Sequence, residues 1–430
     1  MKRIIFFLAL FIALCSFDRI KKNDIDITSY NIVMKLDTVS RKLEIQTDMV
    51  IENPHTSKDI KLLFSDLMKI DKATINGNKL DYTHTNDTLF ANVGSLNKIK
   101  LTLNYSLPID SFKNDKMFAL TRAMKWCPFV RDNVSELTLK ITLPKGYKAY
   151  SSGELISNNE TNNSNYYEFH NKLNSGLPLF IAPTAYYKET AKKQDNILIK
   201  YYFHNPDTAL DNSIITESLK TIDFCINYIG SYNRLQLTYI EFPGFPSAQS
   251  LETFLMMGSD FIKVFGKYPI MRFWVAHETI HQWIGAGYFD AINTSPKYSR
   301  FIEESLTDFI RDIYLEKTYG KDSLAGEIKD RINTYNKEIK GTDQDVAIST
   351  NEANRVTYVL GPLILHVVRM KIGEDNWQKF ISSLYAKYYG KIIDYEIFKK
   401  ELNAYSNPAV ISNMENELET KGIPKEIVSQ

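Results

Sequence analysis

Between Ser29 and Pro54 apolar and polar residues alternate almost without a break, as in Y-N-I-V-M-K-L-D and L-E-I-Q-T-D-M-V-I-E. Successive side chains of a strand point to opposite faces, so a period of two predicts half-buried antiparallel strands. The segments I-K-L-T-L-N-Y, E-L-T-L-K-I-T-L-P-K-G-Y and Y-Y-E-F keep this style, and no long helical period interrupts them. Residues 24–190 therefore read as an all-β domain, with the lysine-rich K-E-T-A-K-K-Q-D-N (Lys188 to Asn196) as its boundary. Beyond it the apolar spacing becomes helical, over 211–229, 268–284, 302–317, 322–339, 354–371 and 376–388. A strand, L-Q-L-T-Y-I-E-F, lies between the first two helices. The expected fold class is α+β: a β domain, a mainly helical domain over 191–415, and a tail over 416–430.

The second helix carries chemistry. It reads F-W-V-A-H-E-T-I-H-Q-W from Phe273 to Trp283, with H-E-x-x-H at His277, Glu278 and His281. Two histidines four positions apart share one helix face, close enough to grip one metal ion. Neutral imidazole is a preferred zinc ligand, and a glutamate between the two can act as base toward water. Ile270, Met271, Trp274, Val275, Ile280 and Ile284 make this helix apolar nearly all round, which predicts burial. Buried histidines and a buried glutamate cost free energy unless paired or metal-bound.

A catalytic zinc takes three protein ligands and leaves a fourth position open. The segment F-I-E-E-S-L-T-D-F-I-R-D-I-Y (Phe301 to Tyr314) offers Glu303 and Glu304 beside a buried stripe of Ile302, Leu306, Phe309, Ile310 and Ile313. Glu304 has Asp308 one turn later on its own face, whereas Glu303 has Thr307. Ligating histidines usually donate their second N–H to a carboxylate, so the Glu304–Asp308 pair supplies both a ligand and its support. Glu303 suits an acidic first turn that answers the helix dipole.

H-E-T-I-H-Q-W followed by F-I-E-E-S-L-T-D-F resembles the gluzincin aminopeptidases typified by aminopeptidase N and the leukotriene A hydrolases. Their pattern is H-E-x-x-H-x-W and then W-L-N-E-G-F-A-E-Y, which aligns Glu304 with the third ligand. The gap from His281 is a few residues longer here, in the loop A-I-N-T-S-P-K-Y-S-R, where insertions cost little. The resemblance implies a saddle-like N-terminal β domain and a thermolysin-like catalytic domain holding one Zn2+. Tyr358, in Y-V-L-G-P-L-I-L, matches the family's oxyanion-binding tyrosine, with Leu360 where lysine is common and Tyr335 as the competing tyrosine. The family's G-A-M-E-N loop binds the substrate's α-amine through its glutamate. Gln249-Ser250-Leu251-Glu252-Thr253 keeps only that acid, which makes Glu252 the substrate-binding candidate and leaves an endopeptidase as the alternative to an aminopeptidase. A non-catalytic scaffold is the rival of another class, and the intact ligands and base argue against it. The chain runs out soon after K-G-I-P, so a short form with a more open cleft is expected.

Composition narrows the partners. With 52 basic and 51 acidic residues, net charge +1, nothing attracts the chain to nucleic acid. A peptide is the expected partner. M-K-R-I-I-F-F-L-A-L-F-I-A-L-C has the layout of a signal peptide over residues 1–15, which points outside the cytoplasm, to a periplasmic, secreted or lipid-anchored protein. Cys15 stands where a bacterial lipoprotein carries its acylated cysteine, although Leu14 replaces the usual small residue. Cys127 and Cys225, assigned to different domains, either pair or remain two buried thiols.

Overall fold

The computed structural model describes residues 25–109, 113–114, 117–131, 133–174, 176–267, 272–285, 289–290, 297–350 and 354–428. The segment read as a signal peptide, with Cys15, and the start of the second predicted helix, residues 268–271, lie outside them. The chain forms two compact units, one of residues 25–207 with 234–261, the other of 208–233 with 262–428.

The β unit contains an eight-stranded sheet, in spatial order Glu154–Glu160, Ser164–Asn174, Ser135–Pro144, Asp26–Asp37, Lys42–Glu52, Lys98–Pro108, Lys69–Ile75 and Asn78–Lys79. Asp26–Asp37 pairs antiparallel with Lys42–Glu52 and parallel with Ser135–Pro144. The alternation in sequence becomes a buried face of Ile32, Met34, Leu43, Ile45, Leu101, Leu103 and Leu139, one continuous apolar core. A five-stranded sheet in the same unit is ordered Lys188–Gln194, Ile197–Phe203, Gln236–Phe242, Phe254–Gly258 and Ala248–Leu251. Residue 190 thus falls within a strand. The lysines read as a domain boundary line a mostly exposed edge strand, where charge discourages pairing with another chain.

The helical unit includes α1 (Thr208–Tyr228), α2 (Arg272–Ile280), α3 (Leu306–Tyr319), α4 (Lys321–Thr334), α5 (Asn354–Ile372), α6 (Glu374–Tyr388), α7 (Tyr395–Asn403) and α8 (Pro408–Glu419). The motif helix α2 packs against α1 and α3, and α3 also contacts α4 and α5. Where a helix to residue 284 is expected, α2 ends at Ile280. Tight bonds from Gln282 N–H to the Thr279 carbonyl and from Trp283 N–H to the Ile280 carbonyl wind up its last turn. The region read as a tail belongs to the packed structure up to Val428. Asn407 caps α8 by accepting from the N–H groups of Ala409 and Val410, and Pro408 suits its first turn. Leu418 at 0% and Ile427 at 6% exposure are core residues. Cys127 and Cys225 are free, buried and in different units. Among the described residues no single helix is long and apolar enough to cross a membrane.

Candidate metal centre

Three helical pieces meet at one point. His277 lies on α2 and His281 in the turn that follows it. Glu304 lies in a π-helical turn, Phe301–Ser305, that runs directly into α3. Single π turns recur at functional sites because the extra residue re-aims side chains. The His277 and His281 Nε2 atoms are 3.0 Å apart, and Glu304 Oε2 lies 3.4 and 3.5 Å from them. A tetrahedral ion with ligands at ~2.0–2.1 Å separates them by about 3.3 Å, so the triangle has the size zinc requires.

The other ring nitrogens fix what those atoms are. His277 Nδ1 is 2.8 Å from Asp308 Oδ1, and His281 Nδ1 is 3.0 Å from the Ile284 carbonyl. Both partners only accept, so both Nδ1 atoms donate, and in neutral rings both Nε2 atoms present lone pairs. Two lone pairs and a carboxylate oxygen converge at a site buried from water, an arrangement that calls for a cation or a proton. Burial alone would push His277 down, but its hydrogen bonds to Asp308 and Glu304 outweigh it and hold the ring at about 10. Burial likewise opposes charge on Glu304, and the two histidines still hold it well below the carboxylate range.

Gly285, at φ +94°, closes the turn after His281, and a side chain there would crowd His281 Nδ1 and Glu303 Oε1. Glu303 thus faces this turn, while Glu304 faces the histidines. Thr307 places its hydroxyl 3.3 Å from His281 Nδ1.

Glu278 is 7% exposed on the same helix. Tyr358, on α5, has its ring centroid 6.1 Å from that of His277. Burial first, and then the Glu304 carboxylate that its hydroxyl hydrogen-bonds, raise Tyr358 well above the phenol range, so it keeps its proton to donate. The competing Tyr335 donates to Asp345 at 2.8 Å, away from the histidines. Glu252 belongs to the β unit, in the two-residue turn between Ala248–Leu251 and Phe254–Gly258. At 1% exposure it is no solvated loop acid, and Thr253 beside it holds φ +57°, a conformation rare for a β-branched residue.

The partners that fix these residues carry little signal of their own in the sequence. Asp308 is held by Arg311 at 2.9 Å and by Arg331 at 3.1 Å. Arg331, 7% exposed, also binds Asp312 at 2.9 Å. Gly361 lets α5 approach the π turn, since a Cβ there would lie 2.0 Å from Ser305 Oγ, which donates to the Thr357 carbonyl at 2.7 Å. Its spacing from Tyr358 was the available hint. Arg331 had none, because I-K-D-R-I-N reads as a polar helix face.

No protein-family model and no curated protein matches the chain. Solved structures do. An M1 zinc metallopeptidase from Deinococcus radiodurans superposes with TM-score 0.74 at 13% identity, over 94% of this chain and 95% of that one. A point mutant from Deinococcus radiodurans bound to a Tyr-Ser-Ala substrate gives 0.75 at 13% identity, over 95% and 98%. A two-domain M1 zinc metallopeptidase mutant bound to L-arginine gives 0.74 at 13% identity, over 95% and 97%. The chain has the two-domain fold of the M1 zinc metallopeptidases.

Proposed function

We propose that the protein is a zinc metallopeptidase that binds one Zn2+ through His277, His281 and Glu304. The observation that carries this reading is the convergence of three lone-pair donors at tetrahedral spacing, with both imidazoles locked from behind. A zinc ion bound there would polarise a scissile carbonyl and make water more acidic. Glu278 takes the attacking water's proton and returns it to the leaving amine. The Tyr358 hydroxyl donates to the carbonyl oxygen as negative charge develops on it. Asp308 holds His277 in the tautomer that leaves Nε2 free. Metal analysis tests the core of this reading: about one zinc per chain is expected, and none under metal-replete conditions would refute it.

The finer reading is an aminopeptidase. The resemblance gives Glu252 the substrate's ammonium group, a charge-assisted contact that an acetylated N-terminus cannot make. Free peptides should lose single N-terminal residues and be preferred over acetylated ones by roughly a hundredfold, with Glu252→Ala erasing the preference. Equal cleavage of both at internal bonds would establish the endopeptidase instead. The N-terminal signal layout supports work outside the cytoplasm, with Cys15 as a lipid-anchoring candidate. Cys15→Ser should then release the protein from the membrane fraction, and unacylated mature protein in the wild type would exclude the anchor.

A further inference from the structure

The buried charges behind the centre do more than balance one another. Arg331 reaches from α4 to two other helices. Its Nε and Nη2 bind Asp312 on α3, and its Nη1 donates both to Asp308 Oδ2 at 3.1 Å and to the backbone carbonyl of Tyr358 on α5. The other oxygen of Asp308 holds His277 Nδ1 at 2.8 Å. One guanidinium therefore touches the support of a histidine at the metal centre and the main chain of the oxyanion tyrosine.

The carbonyl of Tyr358 is free to be taken for a reason written in the sequence. Inside a helix it would accept from the N–H four residues on, but that residue is Pro362, which has none. The proline lies within α5 and leaves the acceptor facing α4, where Arg331 meets it. One residue earlier, the Thr357 carbonyl is met by Ser305 of the π turn. Consecutive carbonyls beside Tyr358 are thus fixed from outside the helix, one from the element bearing Glu304 and one from Arg331.

We propose that Arg331 is a positioning residue that sets His277 and Tyr358 together, and that Pro362 hands it the Tyr358 carbonyl. The proposal rests on the zinc peptidase reading. If Arg331 only neutralised Asp308 and Asp312, a lysine would serve. Spanning two carboxylates and a carbonyl at once needs the planar fork of an arginine.

Arg331→Lys and the double variant R331K/P362A test it. Lysine keeps the charge beside Asp308 and Asp312, so zinc affinity by chelator competition should stay within about threefold. The Tyr358 carbonyl loses its partner, and kcat should fall roughly tenfold with KM nearly unchanged, as a displaced transition-state donor implies. Pro362→Ala restores the helix's own N–H, so the double variant should regain most of the lost kcat. A 3-fluorotyrosine placed at position 358 gives a readout without turnover. Its 19F line should shift or broaden in R331K and return in the double variant, with or without zinc. An unchanged kcat and 19F line in R331K, or a loss that persists in R331K/P362A, overturns the proposal. Should R331K fail to fold, R331Q serves: Pro362→Ala must restore its kcat and not its zinc affinity, and failure to do so is equally decisive. A wild type that holds no zinc defeats the peptidase reading separately, and the fluorine comparison still decides the positioning.

Discussion

The eight-stranded sheet and the helical unit differ in the charge they bury. The eight-stranded sheet covers an almost wholly aliphatic and aromatic core, with Ile27, Ile32, Leu62, Leu101 and Ile141 each at 0% exposure. The helical unit is apolar too, yet it also buries His277, Glu278, His281, Asp308, Arg311, Asp312 and Arg331. Aliphatic burial stabilises in proportion to area removed from water. A buried ion pair returns little, because desolvating both charges costs about what their attraction yields. The sheet is thus built for stability, and the helices around α2 hold charges whose value is positional. The two kinds of core should respond differently to substitution.

The sharpest break in that comparison is Glu278→Gln. It removes the proposed base and changes neither size nor the three proposed ligands, so kcat should fall by about 10²–10⁴-fold while zinc stays bound. Unfolding by urea should be nearly unmoved. Residual activity near that of the wild type would remove Glu278 from the chemistry.

Leu101→Ala, at 0% exposure in the sheet, should show the converse. Such truncations cost about 2–5 kcal/mol through lost transfer energy and the cavity left behind. Zinc affinity and kcat of the folded fraction should stay at wild-type values, measured at a temperature where the variant is folded. A zinc site that weakens with the sheet would show that the separation of roles is wrong.

Asp308→Asn lies between these two. The amide keeps the shape but offers the wrong charge to His277, Arg311 and Arg331, and zinc affinity or activity should drop about 10–100-fold. The adjacent acids separate in the same assay: Glu304→Ala should empty the site and Glu303→Ala should leave most of the zinc. If Glu303→Ala empties it instead, the wrong acid has been assigned as the ligand.

The comparison also explains what was legible in the sequence. A period of two in Asp26–Asp37 and Lys42–Glu52 survives folding intact because one face of the sheet is buried throughout. His277, Glu278 and His281 declared themselves because helix geometry alone brings the two histidines together. Glu304 was favoured over Glu303 by Asp308 one turn later on its face and by the family pattern, and the π turn is what carries it toward the histidines. Arg331 could not be read, because its partners lie on other helices and no local spacing encodes that meeting. The lysines of Lys188–Gln194 misdirected the boundary because an edge strand and a linker are both rich in charge. α8 was missed although Val410, Met414 and Leu418 recur every four residues, a stripe shorter than the windows that reveal longer helices.

The smallest effect belongs to a charge on the surface of the helical unit. Glu419 pairs with Lys297 at 2.6 Å and accepts from Tyr298, and these hydrogen bonds lower it from an ordinary 4.5 to about 2. Its side chain is 48% exposed, so solvent screens most of what that shift suggests. The sign follows from the depressed value: the contribution is complete above about 4.5 and is lost as pH falls toward 2. Glu419→Gln should therefore cost under about 1 kcal/mol at neutral pH, and nothing once wild-type Glu419 is itself protonated. Urea unfolding of both proteins at pH 7 and across the acid range measures this. A cost at neutral pH as large as that of Leu101→Ala would mean that exposed charge carries as much stability here as the aliphatic core, and that burial is not what separates the two kinds of residue.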